Sequence, residues 1–244
     1  MNLLRFSFLS TCFCLSLAFT SCDILADGPC LQGSGEVREE VRDMASFTGV
    51  DLRIPGKVFL IEGPQRVRVE AYQDILKEVK TEVVSNTLVI RSDACLEYAD
   101  EETKFYISMP HVENVELKSS GQIYVQSVPS PDKLRLTMSG SGFIDYSGNL
   151  KKLYVLHSGS GDVDLFGSTS YLESTLSGSG RLRGFAMATD SAKTTLTGSG
   201  YQQVWVNNFL EVIITGTGNV YYRGQPWFTS TYTTSSGKLI DSNK

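Results

Sequence analysis

Three copies of Ser-Gly-Ser-Gly, at residues 139–142, 158–161 and 177–180, decide the fold of this chain. Variants with threonine follow at 197–200 and 215–218, and degenerate copies stand at 118–121 and 234–237. The closing glycines are therefore 21, 19, 19, 20, 18 and 19 residues apart. A fixed period of this length is the signature of a repeat architecture in which each unit stacks on its neighbours.

Apolar residues keep the same distance from each tetrapeptide. The position just before it is occupied by Leu117, Met138, His157, Leu176, Leu196 and Ile214, and the position two after it by Ile123, Ile144, Val163, Leu182, Gln202, Val220 and Leu239. Further apolar residues follow at intervals of two, which indicates strands with one buried face. Each unit is predicted to be a strand, a tight corner, a second strand and a looser turn.

Strands at regular spacing also suit an antiparallel sandwich or barrel. A solenoid is favoured because the same residue type returns at the same phase, as it must when equivalent positions lie above one another. We therefore predict an all-β, right-handed parallel β-helix with coils of about 19 residues. The last coil has Thr229, Thr231 and Thr233 at interior positions and is expected to be a polar end. Residues 36–110 alternate in the same way and are expected to be strands continuous with the solenoid, with a helical turn only at 74–80.

The N-terminus has the pattern of an export signal. Arg5 is followed by an apolar run too short for a comfortable membrane span, and the run ends in Phe19-Thr20-Ser21-Cys22. This ending resembles the lipobox of bacterial lipoproteins, in which cleavage precedes the cysteine and its thiol is lipidated. The sequence thus predicts a lipoprotein signal peptide (1–21), a lipidated N-terminus at Cys22 with a flexible tether (22–38), and one β-helix domain (39–244). An ordinary cleaved signal that leaves a soluble protein is the alternative.

The remaining cysteines and the charge agree with export. Cys30 and Cys95 could form a disulfide in an oxidising compartment, or could be two unpaired small apolar residues. Two cysteines cannot fill a zinc site by themselves, and no metal or cofactor is predicted. The formal net charge of −5 argues against nucleic acid as a partner.

Residues suited to catalysis are few, and we predict no catalytic site. His111 follows Pro110 in a predicted turn, and His157 falls at an interior position, where a neutral, hydrogen-bonded core histidine is the simpler interpretation. Asp145 and Asp164 share an outward position in adjacent coils and could hold Ca²⁺ or form an acid–nucleophile pair. The next coil has Arg181 and Arg183 near this position, which favours a cross-strand ion pair.

One stripe of the surface is a candidate for ligand contact. Ser139, Ser158 and Ser177, with the equivalent hydroxyl residues of other corners, are expected to line it, flanked by outward-facing Phe143, Tyr201 and Tyr221. A structural explanation, in which hydroxyls pair within the stacked corners, is sufficient. The alternative is a weak glycan-binding face.

The sequence resembles a bacterial domain family, the putative auto-transporter adhesin, head GIN domain, over roughly residues 40–240. The resemblance is carried by Phe47-Thr48-Gly49-Val50, Val58-Phe59-Leu60-Ile61-Glu62-Gly63, Thr87-Leu88-Val89-Ile90, the repeated corners, and the run from Gly218 to Pro226. It implies an extracytoplasmic β-helix with a surface or adhesive role, and it supplies no catalytic or ligand residues.

These observations predict a non-enzymatic lipoprotein of the outer membrane, facing the periplasm or the cell surface. Its expected partners are the membrane, through the lipid, and a glycan or a host or cell-surface protein, with weak homo-oligomers as a further expectation. A structural envelope protein that self-associates through its solenoid ends is the alternative. A polysaccharide-degrading enzyme is the third class, and it would need a carboxylate cluster that the sequence does not provide.

Lipidation can be tested directly at Cys22. Metabolic labelling with palmitate should mark the parent protein and leave a Cys22→Ala variant unlabelled, because the thiol is the expected acceptor. Cys14→Ala is the matched control and should label like the parent. Equal labelling of the Cys22→Ala variant would contradict the assignment.

Overall fold

The computed structural model describes residues 30–97 and 103–243. Within them lie one short helix, α1 (Gln73–Glu78), and the strands β1 (Leu31–Gln32), β2 (Val37–Arg42), β3 (Gly49–Leu52), β4 (Lys57–Glu62), β5 (Arg66–Tyr72), β6 (Lys80–Val84), β7 (Thr87–Arg91), β8 (Leu96–Glu97), β9 (Lys104–Met109), β10 (Asn114–Leu117), β11 (Gln122–Gln126), β12 (Lys133–Met138), β13 (Phe143–His157), β14 (Asp162–Leu176), β15 (Arg181–Leu196), β16 (Tyr201–Ile214), β17 (Asn219–Arg223), β18 (Phe228–Thr233) and β19 (Leu239–Asp241). No helix in the described ranges is long and apolar enough to cross a bilayer.

Each turn of the chain contributes one segment before its corner and one after it. The segments before the corners form the entry sheet, which contains β7, β3, β10, β12, the second halves of β13 to β16, and β18. The segments after the corners form the exit sheet, which contains β9, β4, β11, the first halves of β13 to β16, β17 and β19. Neighbours are parallel within these stacks, so the predicted parallel β-solenoid with about 19-residue turns is confirmed.

The corners stack so closely that they have no room for a side-chain carbon. A Cβ added to Gly159 would lie 1.9 Å from the carbonyl oxygen of Gly140, and one added to Gly178 would lie 1.9 Å from that of Gly159. The other repeat glycines from Gly140 to Gly237 would place a Cβ 1.8–2.2 Å from a carbonyl oxygen one turn away. Backbone hydrogen bonds join the same corners, for example from Ser177 N–H to the His157 carbonyl at 2.9 Å. Glycine recurs here because two backbones approach one another.

The interior columns follow the register that the sequence predicts. Met138, His157, Leu176 and Leu196 lie opposite one another in successive turns, and all are buried. The exit sheet has an equivalent column that runs from Ile123 to Val220 and is also buried. The interior positions of β18 instead carry Thr229, Thr231 and Thr233, and every residue of this strand is exposed, which confirms the predicted polar end.

The N-terminal half is more complicated than a continuation of the repeat. β3 and β4 form a turn of the solenoid that stacks on β10 and β11, whereas β7 and β9 stack on the other side of β3 and β4. Antiparallel strands then close this end, since β5 pairs with β9, β2 with β5, and β6 with β7. The expected helical turn is present as α1. The strands are continuous with the solenoid, as predicted, but the sequence did not indicate the antiparallel cap, because cap strands have the same period-2 alternation as solenoid strands.

Part of the predicted tether is folded. β1 pairs with β8, the Ser34 backbone N–H and hydroxyl donate to the Asp74 carboxylate, and β2 already begins at Val37. The remainder of that tether, together with the signal peptide and Cys22, lies outside the described residues. Cys30 and Cys95 are each disulfide-bonded.

His157 is 1 % exposed in the interior, above Met138 and below Leu176. Its imidazole occupies the space left by Gly180, where a Cβ would lie 2.5 Å from Cε1. Neither ring nitrogen makes a hydrogen bond of regular geometry among the described residues, so the well-bonded core histidine that the sequence suggested is not met. Burial lowers the pKa of the His157 imidazole, and the charge of Asp162 and a polar contact with the Gly161 backbone offset part of the effect. The folded protein therefore holds a neutral histidine.

Replacing His157 with leucine should stabilise the protein by about 1–3 kcal/mol, because it removes an unsatisfied polar group from the core. The gain should be larger at acidic pH. The unfolded imidazole has a pKa near 6.5, so as the pH falls below that value the unfolded parent takes up a proton that the folded parent does not, and the parent loses stability. Chemical denaturation of both proteins from pH 8 to pH 5 measures this difference. A His157→Leu variant that is markedly less stable than the parent would show that the ring nitrogens are needed.

Candidate functional site

The outward side of the exit sheet carries a compact ion-pair network. The register places Asp162 opposite Arg181 and Asp164 opposite Arg183. Arg181 donates two hydrogen bonds to Asp162, at 2.7 and 2.6 Å, and Arg183 bonds Asp164 at 2.6 Å and Asp162 at 3.1 Å. These contacts raise the pKa of both guanidinium groups, chiefly through the hydrogen bonds to the carboxylates. The predicted cross-strand ion pair is confirmed.

Asp145 lies beside this network, opposite Asp164 in the adjacent turn. Burial, followed by the charge of Asp164, raises the pKa of the Asp145 carboxyl group. The two neighbouring carboxylates are occupied by arginines, so Asp145 lacks the free acidic partner that a Ca²⁺ site or a glycosidase pair would use. Across residues 30–97 and 103–243, no group of three or more His, Cys, Asp or Glu side chains is placed to hold a metal ion.

A ladder of aromatic rings runs along the same side, toward the N-terminal cap. The rings of Tyr106 and Phe59 stack at 5.4 Å between centroids, those of Phe59 and Tyr124 stack at 5.3 Å, and Phe143 meets Tyr124 edge-on at 6.0 Å. The guanidinium group of Arg68 lies 4.2 Å from the centre of the Tyr106 ring. The stacked rings cover one another's faces, and the ladder therefore stabilises the sheet as cross-strand pairs do.

The aromatics that the sequence proposes for ligand contact belong to such pairs. Phe143 is the last ring of the ladder, and Tyr201 meets Tyr221 edge-on at 5.9 Å. Tyr201 and Phe143 share one outward column, with Asp162 and Arg181 between them, and all three aromatics are only half-exposed. The face they form is a mixture of charged groups and ring edges.

The hydroxyl residues of the corners are exposed to solvent. Ser139, Ser158 and Ser177 lie one above another at the outer surface. Among the hydroxyl groups of these three serines, that of Ser158 alone donates a hydrogen bond within the described residues, to the Met138 carbonyl at 3.5 Å. The corners are held by backbone hydrogen bonds, and hydroxyl pairing within them, which the sequence suggested, is not their main support.

The most exposed aromatic surface lies elsewhere, on the loose turns of the last coils. We call Trp205, Phe209, Trp227 and Phe228 the aromatic edge. Phe209 and Phe228 stack at 4.4 Å with an angle of 16° between their planes. Trp227 meets Phe209 edge-on at 5.9 Å and Phe228 at 6.4 Å, and 75 % of its surface is exposed.

Trp205, the fourth residue of the aromatic edge, lies on the exit-sheet half of β16, in the same coil as Phe209 and one coil before Trp227 and Phe228. It is 41 % exposed, packs beneath Gly224, and donates from Nε1 to the Asn207 side chain at 3.2 Å. Trp205 and Trp227 are the two tryptophans of the chain, and both are exposed in the last coils, although this residue type is usually well buried. The period does not predict this surface, because the loose turns vary in length and their residues share no fixed distance from the corners. The Pro226-Trp227 pair beside the turn predicted at 223–226 was the available signal.

A hollow of about 570 Å³ lies beside α1 in the N-terminal cap. It is lined by Glu40, Arg42, Gln73, Leu76, Lys77, Val79, Lys80 and Thr81. Arg42 is already bonded to Glu40 and to the carbonyl of Leu76, so the charges around this hollow are largely satisfied. It offers no convergent set of free polar groups.

Solved structures similar to this chain share its fold. A putative adhesin from Bacteroides fragilis has a TM-score of 0.77 at 19 % sequence identity, over 87 % of this chain and 100 % of that one. A putative lipid binding protein from Parabacteroides distasonis has a TM-score of 0.65 at 18 % identity, and a putative adhesin from Parabacteroides merdae 0.63 at 15 %. Each comparison covers 87 % of this chain and 99 % of the other. No functionally curated protein matches the chain.

The profile of one protein family matches residues 46–226, which is more than half of the chain. This span includes the β3–β4 turn, six of the seven predicted corners, and Trp205 and Phe209 of the aromatic edge, whereas Trp227 and Phe228 lie just beyond it. The chain belongs to the family described as putative auto-transporter adhesin, head GIN domain.

Proposed function

We propose that this protein is a non-enzymatic, lipid-anchored lipoprotein of the outer membrane that contacts glycans through the aromatic edge. Its family of adhesins supports an adhesive role. The observation that carries the glycan assignment is the exposure of both tryptophans in the last coils of the stack, with Trp227 packed against the stacked rings of Phe209 and Phe228.

The chemistry of the edge suits a sugar ring. One face of a pyranose is made of C–H groups, and such a face packs against the electron-rich face of an indole or phenyl ring. Asn207, Asn208 and Gln225 lie in the same two turns and are exposed or half-exposed, so amide groups are available beside the rings for sugar hydroxyls. Because the rings are fixed by mutual packing, little conformational entropy is lost when a ligand binds.

The position of the edge also suits a tethered protein. The first described strand, β1, joins the N-terminal cap region, and the proposed lipid at Cys22 lies nine residues before Leu31. The aromatic edge lies in the last coils, at the other end of the stack. A lipid attached to the chain before β1 would leave the last coils, which come after all other strands in the stack, available to material outside the membrane. A host or cell-surface protein is the other partner that an exposed aromatic cluster fits.

A second candidate function is self-association through the C-terminal end of the solenoid. The favouring observation is that all six residues of β18 are exposed and that this strand pairs with β16 alone. A structural envelope protein could grow through such an end.

Glycan binding tests the main proposal. On a glycan array, Trp227→Ala should weaken binding by about 30-fold or more, as expected for the loss of a central aromatic contact. The fold should be unaffected, since Trp227 is largely exposed. Phe143→Ala and Tyr201→Ala serve as comparison variants on the exit sheet and should bind like the parent.

Two outcomes would contradict this assignment. Binding that survives Trp227→Ala but is lost on substitution of Phe143 or Tyr201 would place the contact on the exit sheet, as the sequence suggested. Absence of binding to any glycan by the folded parent would refute glycan contact as the function.

A further inference from the structure

The four strands at the ends of the two sheets differ in how their free edges are protected. β2 and β6 end the N-terminal side, and β19 and β18 end the C-terminal side. Native proteins commonly block such edges with charged residues, because an open edge can pair with another strand. Among the described end strands, β2 carries four charged residues, β6 two and β19 one, whereas β18 carries none.

The sequence of β18 is well suited to strand pairing. Phe228-Thr229-Ser230-Thr231-Tyr232-Thr233 consists of β-branched and aromatic residues with one serine, and it has no proline or glycine. Its outward residues are Phe228, Ser230 and Tyr232, and the two aromatic side chains are 43 % and 61 % exposed.

The backbone shows which groups are available at the open edge. Thr234 N–H donates to the Ile214 carbonyl at 3.0 Å, toward β16. Successive residues of a strand direct their N–H and C=O groups to opposite sides, so those of residues 228, 230 and 232 also point toward β16. Those of Thr229, Thr231 and Thr233 point to the open edge.

We infer that two copies of this chain pair their β18 strands antiparallel about a two-fold axis through Ser230. In this register Thr229 of one copy exchanges both backbone hydrogen bonds with Thr231 of the other, which uses the groups that face the open edge. Phe228 of each copy then lies opposite Tyr232 of the other in a close, non-hydrogen-bonded pair. The interface is isologous, so it closes as a dimer at this edge. The inference rests on the second candidate function above and specifies its geometry.

A single cysteine tests the register. Ser230→Cys places two thiols across the two-fold axis, where the Cα atoms of a non-hydrogen-bonded pair are about 4.5 Å apart, within the range of a disulfide. Under mild oxidation the full chain with Ser230→Cys should form a reducible dimer. Thr197→Cys is the matched control, since Thr197 is also exposed but lies two coils from the edge, and it should cross-link no more than the parent.

A second variant removes the pairing without disturbing the fold. Thr231→Pro deletes only an N–H that faces the open edge, and proline is tolerated at such positions of edge strands. Added to Ser230→Cys, it should abolish cross-linking. In the parent, the amide of Thr231 should exchange with solvent at least about tenfold more slowly at high than at low protein concentration.

The outcomes separate the register from the broader proposals. A chain that sediments as a dimer but is not cross-linked by Ser230→Cys would overturn the β18 register and leave self-association standing. A chain that remains monomeric at every concentration would overturn both the β18 register and self-association. The proposal of glycan binding through Trp227 would still stand. Equal cross-linking of the Ser230→Cys and Thr197→Cys variants would also refute the register.

Discussion

The structure depends on the contact between a glycine and the carbonyl oxygen of the equivalent glycine one turn away. At Gly159 and Gly178 an added Cβ would overlap that oxygen. The close approach lets corner N–H groups reach carbonyls in the next turn, and it brings the flanking strands to hydrogen-bonding distance on both sheets. The interior columns and the outward columns both follow from this constraint, because a fixed corner fixes the phase of every residue on either side.

Because the corners fix the position of every residue in a turn, unlike side chains are tolerated at equivalent positions. His157, Ser174 and Gln202 occupy interior positions where other turns have aliphatic residues. Ser174 donates to the Gln202 side chain at 2.6 Å, and Gln202 donates to the Thr195 carbonyl at 2.7 Å, so two of the three are satisfied. On the outer surface, the same register aligns Asp162 with Arg181 and Phe59 with Tyr124. Charged and aromatic ladders therefore form from the regular stacking of the turns.

The regular part of this molecule could be predicted from the sequence, and the irregular parts could not. The Ser-Gly-Ser-Gly spacing predicts the order, direction and register of the turns after residue 117, including the exposed threonines of β18. No such marker indicates that β7 and β9 lie beyond β3 and β4. Buried and exposed residues alternate with the same period in parallel and in antiparallel strands, so the pattern does not tell the two apart. Phe59, Tyr106 and Tyr124 were missed for the same reason. Trp205 and Trp227 border turns of unequal length, which no period aligns.

The two ends of the solenoid differ in physical character. The N-terminal end is closed by antiparallel strands with charged side chains, and the C-terminal end presents an uncharged strand next to exposed aromatic rings. An open, uncharged edge beside large apolar rings is a place where other molecules bind. The proposed contacts with a glycan and with a second copy both belong to this end, and both require the stack beneath it to be rigid.

The stability of Gly178→Ala tests the stacking of the corners most directly. The added methyl group would meet the Gly159 carbonyl, and we expect a loss of roughly 1–3 kcal/mol or more in the free energy of unfolding, as for an overpacked core. Gly63→Ala is the matched control, since its Cβ would make an ordinary contact at 3.4 Å, and its stability should stay within about 1 kcal/mol of the parent. If Gly178→Ala proved as stable as Gly63→Ala, the corners would not stack as described, and the solenoid account would be contradicted.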